Sequence, residues 1–129
     1  MEYEQAVKLK QKGYPQPSLF QLCQSWAVNV GGIKLVCWVQ DVSADGKRAY
    51  LISPGQKTVT PGWIDRTRPM TFFCPIAEDV VMQIGKDVSI TYNSNVFICR
   101  YSGKEVREST FLEAIFAAYC ESRKPIKNG

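Results

Sequence analysis

Residues Ile33–Ser53 read IKLVCWVQDVSADGKRAYLIS, and they decide the fold class of this chain. The first eight residues are dense in β-branched and aromatic side chains, and a second apolar run follows at Ala49–Ser53. Between the two runs lies the pair Asp45-Gly46, which is typical of tight hairpin turns because glycine accepts the positive φ angle that such turns need. The segment therefore predicts an antiparallel hairpin.

A second hairpin is predicted in the later part of the chain. The runs VSITY (residues 88–92) and VFICRY (residues 96–101) flank Asn93-Ser94-Asn95, whose short polar side chains tolerate the backbone angles of a tight turn. Residues 18–26 are ambiguous, because their pattern fits a strand or a helix.

Two helices are predicted outside the hairpins. Apolar side chains at three- and four-residue intervals predict a helix over Glu2–Lys12, which Gly13 and Pro15 would end. A second helix is predicted over Pro75–Ile84, because proline suits the first helical position and Gly85 suits the end.

A third helix is predicted from Thr110 to about Arg123, since Thr110 and Glu113 have the spacing of a capping box. Over residues 111–120 its only polar side chain is Glu113, so its apolar surface covers most of the circumference. Such a helix is either enclosed within its own domain or shared with another molecule. For the second case we expect a homodimer, with these interface residues: Phe111, Ala114, Ala118 and Tyr119.

The predicted order is helix, hairpin, helix, hairpin, helix. It favours an α+β fold, a two-layer sandwich in which an antiparallel sheet of two hairpins is covered by about three helices. A chain of 129 residues is long enough for one domain with a single core, and we expect residues 124–129 to form a frayed tail.

The composition excludes many kinds of active site. Histidine is absent, which removes Ser-His and Cys-His nucleophile pairs and any zinc site that needs an imidazole. Asp65 is the one carboxylate to which the pattern gives no structural role, and one carboxylate is not a mechanism. We therefore predict no catalytic residues, no cofactor and no metal. The odd number of cysteines and the absence of CxxC predict buried thiols at Cys23, Cys37, Cys74, Cys99 and Cys120.

Charge and hydropathy bound the partners. The net charge of +4 is below what dedicated nucleic-acid-binding domains carry, so no nucleic-acid partner is predicted. The first ten residues lack the apolar core of a signal peptide, and no apolar run approaches the ~18 residues that cross a bilayer. We expect a cytoplasmic protein without a membrane partner.

The segment GWIDRTRPMTFFCP, residues 62–75, is the candidate binding site. In extended backbone Arg66 and Arg68 point the same way, and two guanidinium groups beneath the indole of Trp63 could hold a phosphate. The sequence thus offers a site for a small anionic ligand, such as a nucleotide or a cyclic nucleotide signal. The residues of this site would be Trp63, Arg66, Arg68 and Phe72. The alternative is a structural connection, in which the aromatic side chains are core anchors and the arginines are solvated.

Three segments carry a resemblance: YEQAVKLKQKGYPQP (residues 3–17), CPIAEDVVMQIGKD (74–87) and ESTFLEAIFAAYCES (108–122). In order and spacing they resemble landmarks of small uncharacterised proteins of bacteriophages and prophages, over about half of the chain. The resemblance implies a mobile-element origin and brings no catalytic residues with it. Together with the missing catalytic set, it leads us to expect a non-enzymatic accessory protein that binds a host factor, with inhibition of a bacterial defence system as the most specific form of this expectation.

Overall fold

The computed structural model describes residues 2–53, 60–85 and 87–123. Within these residues three helices pack on two antiparallel sheets, which confirms the predicted α+β class. The contacts of the chain fall into two compact units, Met1–Cys74 and Pro75–Gly129, where the sequence led us to expect one domain. Each unit is described by itself. The predicted tail, 124–129, lies outside the described residues.

The first unit is a five-stranded sheet with one helix. Its elements are α1 (Tyr3–Gln11), β1 (Ser25–Val30), β2 (Ile33–Val42), β3 (Arg48–Ile52), β4 (Gly62–Asp65) and β5 (Thr71–Cys74). The strand order is β4-β3-β2-β1-β5 and all pairs are antiparallel. The predicted hairpin of β2 and β3 is confirmed. The ambiguous segment enters β1, which pairs with β2 through a two-residue turn at Gly31-Gly32.

The core of the first unit lies on the inner face of its sheet. Side chains of β1, β2, β3 and β4 belong to one buried cluster there. The indole of Trp26 is fully buried there, with the ring centroids of Phe20 and Phe73 at 4.9 and 5.2 Å. The other members are Val28, Leu35, Cys37, Val39, Ala49, Leu51 and Ile64.

Helix α1 covers part of the outer face of the same sheet, over β1, β2 and β5. It ends as predicted, because Gly13 has φ of 85° and the Tyr14 N–H donates to the Leu9 carbonyl at 2.9 Å. Beneath the helix, Ala6 packs with Ala27 of β1.

The second unit is a three-stranded sheet with two helices. Its elements are α2 (Ala77–Ile84), β6 (Ser89–Asn93), β7 (Val96–Tyr101), β8 (Lys104–Glu108) and α3 (Phe111–Ser122), with sheet order β6-β7-β8. The predicted hairpin of β6 and β7 is confirmed, and Ser94 and Asn95 take positive φ in its turn. The sequence missed β8, which follows a second turn of this kind at Ser102-Gly103.

The helix starts of the second unit differ in detail from the prediction. Ile76 is the N-cap of α2, so Pro75 precedes the helix, and the Ile76 side chain is 62% exposed instead of facing the core. For α3 the predicted N-cap is confirmed, since the Glu113 N–H donates to Thr110 Oγ1 at 3.1 Å. The Glu113 carboxylate accepts from the Ser109 hydroxyl at 3.1 Å and not from the Thr110 backbone N–H, so the second half of the predicted capping box is not formed.

The proposed dimer residues of α3 have little exposed surface. Ala114 and Ala118 are fully buried in a cluster with Cys99 and Tyr101, and Tyr119 is buried as well. Of the four, only Phe111 is exposed, by 42%, and its ring centroid lies 6.0 Å from that of Phe97. At Ala114, Ala118 and Tyr119 the apolar surface of α3 is thus enclosed by the folded chain, which removes the main reason for placing a second copy there.

The cysteines are all free thiols. Three are buried as predicted: Cys37, Cys74 and Cys99. Cys120 is partly buried, whereas Cys23 is exposed, in a turn where its φ is 67°. The expectation of a buried thiol was therefore wrong for Cys23.

Candidate functional site

The segment proposed as a ligand site forms two strands and the turn between them. Trp63 lies on β4 and Phe72 on β5, which are the two edge strands of the five-stranded sheet. The four predicted ligand residues therefore contact different parts of the first unit. Their side chains do not form a single binding site.

Arg66 has a structural environment. Its guanidinium carbon lies 4.7 Å from the ring centroid of Trp26, and its Nε donates to the Pro17 carbonyl at 2.6 Å. The backbone N–H of Arg66 donates to the Lys47 carbonyl at 2.8 Å. Partial burial lowers the pKa of the guanidinium from its usual value, yet an arginine stays charged in proteins. The guanidinium thus contacts two other segments of the chain, and the backbone N–H of Arg66 contacts a third.

Arg68 and Phe72 also serve the fold. Arg68 Nη2 donates to the Asn29 carbonyl at 3.3 Å, next to the start of β5. The ring of Phe72 meets that of Tyr3 edge to face with centroids 5.6 Å apart, and the Lys10 ammonium lies 5.2 Å from the Phe72 centroid. For these residues the contacts favour the interpretation of a structural connection, although the arginines are anchored and not merely solvated.

Asp65, which the pattern left without a role, caps a turn. Its carboxylate accepts from the Thr67 hydroxyl at 2.7 Å and from the Thr67 backbone N–H at 2.9 Å. These hydrogen bonds hold the pKa of the carboxyl below its ordinary value, because they favour the charged form. Asp65 thus has a structural role in the turn that follows β4.

Trp63 leads to a surface that the sequence did not identify. It lies opposite Tyr50, with ring centroids 5.8 Å apart, and Trp38 lies opposite Ile52. Residues that face each other across an antiparallel pair share one face of the sheet. Because Leu51 is buried on the inner face, its neighbours along β3 point outward.

This surface is the outer side of β2, β3 and β4, and we call it the outer aromatic face. It consists of Trp38, Arg48, Tyr50, Ile52 and Trp63. Trp38 is 55% exposed and Trp63 is 45% exposed. The guanidinium carbon of Arg48 lies 5.8 Å from the ring centroid of Trp63. Two large indoles with a cation beside one of them thus stand at the surface of a small sheet.

The rim of the outer aromatic face carries charges of both signs. The exposed Asp41 lies opposite Tyr50, and Asp65 lies opposite Arg48. The two carboxylates and the guanidinium thus lie beside the apolar side chains of the face, and protein-binding surfaces commonly combine an apolar centre with polar groups at the rim.

In the part of the chain that the structure describes, no group of three or more His, Cys, Asp or Glu side chains is placed to hold a metal ion. None of the helices described is long and apolar enough to cross a membrane.

Comparison with protein-family models, curated proteins and solved structures finds no match. What the outer aromatic face can do therefore follows from its own side chains, which can stack, exclude water and donate hydrogen bonds.

Proposed function

We propose that the chain is a non-enzymatic accessory protein that binds a host factor through the outer aromatic face. The observation that carries the proposal is the exposure of Trp38 and Trp63 on one face of a rigid sheet. Tryptophan, tyrosine and arginine are the residues most enriched where binding energy is concentrated, and this face contains all three.

The placement of the two indoles supports the proposal further. Burying an aromatic side chain of this size stabilises a protein by roughly 1.5 to 3 kcal/mol, so leaving two of them half exposed forgoes stabilisation that a core would supply. Strand pairing fixes the backbone of both residues before a partner arrives, which lowers the entropic cost of binding.

The finer description rests on the resemblance to bacteriophage and prophage proteins. It supports a cytoplasmic protein of a mobile element, and inhibition of a bacterial defence system is the most specific form of the proposal. Expression in bacteria that carry such a system would restore phage plaques if the inhibitor role is right. Plaque counts that stay equally low with and without the protein contradict that role, but they leave the binding proposal intact.

The binding proposal is tested by affinity capture from bacterial lysate. The wild-type chain is compared with a Trp38→Ala, Trp63→Ala double variant, and a partner that binds the outer aromatic face is retained by the first and lost by the second. Tyr92→Ala is the matched control, since Tyr92 is an exposed aromatic residue on β6. A partner that is captured equally by all three proteins contradicts the proposed surface.

The anionic-ligand hypothesis remains a second prediction of the sequence. The contacts of Arg66 and Arg68 with backbone carbonyls do not favour it. A thermal-shift screen against nucleotides tests it directly, because a ligand that binds only the folded state raises the melting temperature.

A further inference from the structure

The outer aromatic face is small compared with the interfaces of folded proteins. An aromatic side chain contributes about 150 to 250 Å² when it is buried, and the exposed fractions of Trp38 and Trp63 are 55% and 45%. The two indoles thus offer roughly 150 to 250 Å², whereas each partner in a stable interface contributes about 800 Å². A short segment of chain fits this face better than a globular surface or a second copy.

We propose that the outer aromatic face binds a short proline-rich segment of the host factor in the polyproline II conformation. This inference rests on the proposed function, because it identifies the part of the partner that the face contacts. Such a segment is already extended before it binds, so little entropy is lost on a small surface.

The hydrogen-bonding groups of the face match such a segment. Within the described residues, no bond is made by the indole N–H of Trp38 or of Trp63, and an indole N–H can only donate. The guanidinium of Arg48 likewise only donates. A polyproline II segment has no internal hydrogen bonds and presents carbonyl acceptors, while its prolines have no N–H to satisfy. The N–H donors of the outer aromatic face would therefore bind the carbonyl acceptors of the segment, and the indole rings would pack on its prolines.

The spacing of the indoles also fits. Trp38 is opposite Ile52 on β3, whereas Trp63 is opposite Tyr50. The Cα atoms of the two tryptophans are therefore two strand spacings and two residues apart, a separation of about 12 Å for a flat sheet with ordinary strand spacing and rise. A polyproline II helix advances about 3.1 Å per residue, so about four residues reach from one indole to the other.

The charges of the rim argue against single-stranded nucleic acid, which also stacks on aromatic rings. Nucleic-acid strands need a positively charged groove for their phosphates. Here the carboxylates of Asp41 and Asp65 lie opposite Tyr50 and Arg48. Phosphates on this face would thus lie near two negative charges, a cost that an uncharged proline-rich segment avoids.

The test uses the indole N–H resonances in a ¹H–¹⁵N NMR spectrum of the full chain. The protein has three tryptophans, and the third, Trp26, is buried with its N–H bonded to Gln24 Oε1 at 3.1 Å. Decaproline is titrated to millimolar concentration. We expect saturable shifts of the Trp38 and Trp63 indole signals with a dissociation constant below about 1 mM, and an unmoved Trp26 signal.

Three variants and two further probes sharpen the test. Trp38→Ala should weaken decaproline binding about tenfold, whereas Trp38→Phe keeps a ring without the donor and should weaken it less. Tyr92→Ala should bind as the wild type does. A glycine-serine decapeptide and the oligonucleotide dT10 serve as probes of an unspecific peptide and of nucleic acid, and neither should shift the two indoles.

Each contrary result has a defined meaning. No saturable shift with decaproline, or equal shifts with the glycine-serine peptide, overturns the inference. Shifts of the two indoles by dT10 alone also overturn it, in favour of nucleic acid. If captured host protein still depends on Trp38 and Trp63 while decaproline fails, the proposed function stands and only the proline-rich segment is wrong.

Discussion

At the scale of single residues, Arg66 shows how a side chain that looks like a ligand group can belong to the scaffold. Its guanidinium combines a ring contact with Trp26 and a hydrogen bond to the Pro17 carbonyl. A cation over a partly desolvated ring contributes up to about 2 kcal/mol, and a hydrogen bond to a charged group about 1.5 to 3 kcal/mol. We therefore expect Arg66→Ala to lower the free energy of unfolding by about 2 kcal/mol, measured by urea denaturation with tryptophan fluorescence.

Lys34 provides the control for Arg66, because it makes the same two kinds of contact on the surface. Its ammonium lies 5.5 Å from the Tyr3 ring centroid and 2.8 Å from Glu4 Oε1, and both partners of this ion pair are well exposed. Exposed pairs contribute about 0 to 1 kcal/mol, so Lys34→Ala should change the unfolding free energy by less than about 1 kcal/mol. Equal effects of the two substitutions would mean that Arg66 is an ordinary surface residue.

The thiols give a second prediction at this scale. Burial raises the pKa of Cys37 to about 11 and that of Cys74 to about 12, so neither is a thiolate near neutral pH. Cys23 is exposed. In the folded protein iodoacetamide should alkylate Cys23 rapidly and leave Cys37, Cys74 and Cys99 unmodified, as peptide mass spectrometry will show. A Cys23→Ser variant should lose the rapid reaction, and fast labelling of Cys37 would show that the sheet opens.

At the scale of elements, the sequence predicted what is local. The hairpins of β2 with β3 and of β6 with β7 were recognised because their turn residues lie between two apolar runs. Strands β4 and β5 have only four residues each, and β5 pairs with β1 across more than forty residues of chain. No local pattern specifies such a partner, so these strands looked like a loop.

At the start of α3, the N-cap predicted from the sequence has a measurable effect on stability. Thr110 accepts from the Glu113 N–H, and loss of an N-cap costs about 1 kcal/mol. Thr110→Ala should therefore lower the unfolding free energy by about that amount, measured by far-ultraviolet circular dichroism in urea. Thr110→Ser keeps the oxygen and should retain most of the stability. An unchanged midpoint for the alanine variant would contradict the cap.

At the scale of the whole molecule, the sequence could not locate the outer aromatic face. In IKLVCWVQ one alternating set of side chains is wholly apolar, whereas the set that contains Trp38 also contains Lys34 and Gln40. The pattern therefore favours Trp38 on the outer face, but it does not identify the strands that lie beside it. The structure buries Leu35, Cys37 and Val39 and leaves Trp38 outside. Only the pairing of three strands then brings Trp38 and Trp63 to one surface, whereas the arginines of the candidate segment had been joined to Trp63 by proximity in sequence alone.

The oligomeric state follows from the same surfaces. The homodimer was expected because α3 is apolar around most of its circumference, but Ala114, Ala118 and Tyr119 are buried in the folded chain. The two indoles of the outer aromatic face offer roughly 150 to 250 Å², far less than the roughly 800 Å² per partner of a stable dimer. We therefore expect light scattering at micromolar concentration to give one species near the 14.6 kDa of a single chain. A mass of twice this value would contradict the prediction, and its return to one chain in the Trp38→Ala, Trp63→Ala double variant would identify the outer aromatic face as a self-association surface.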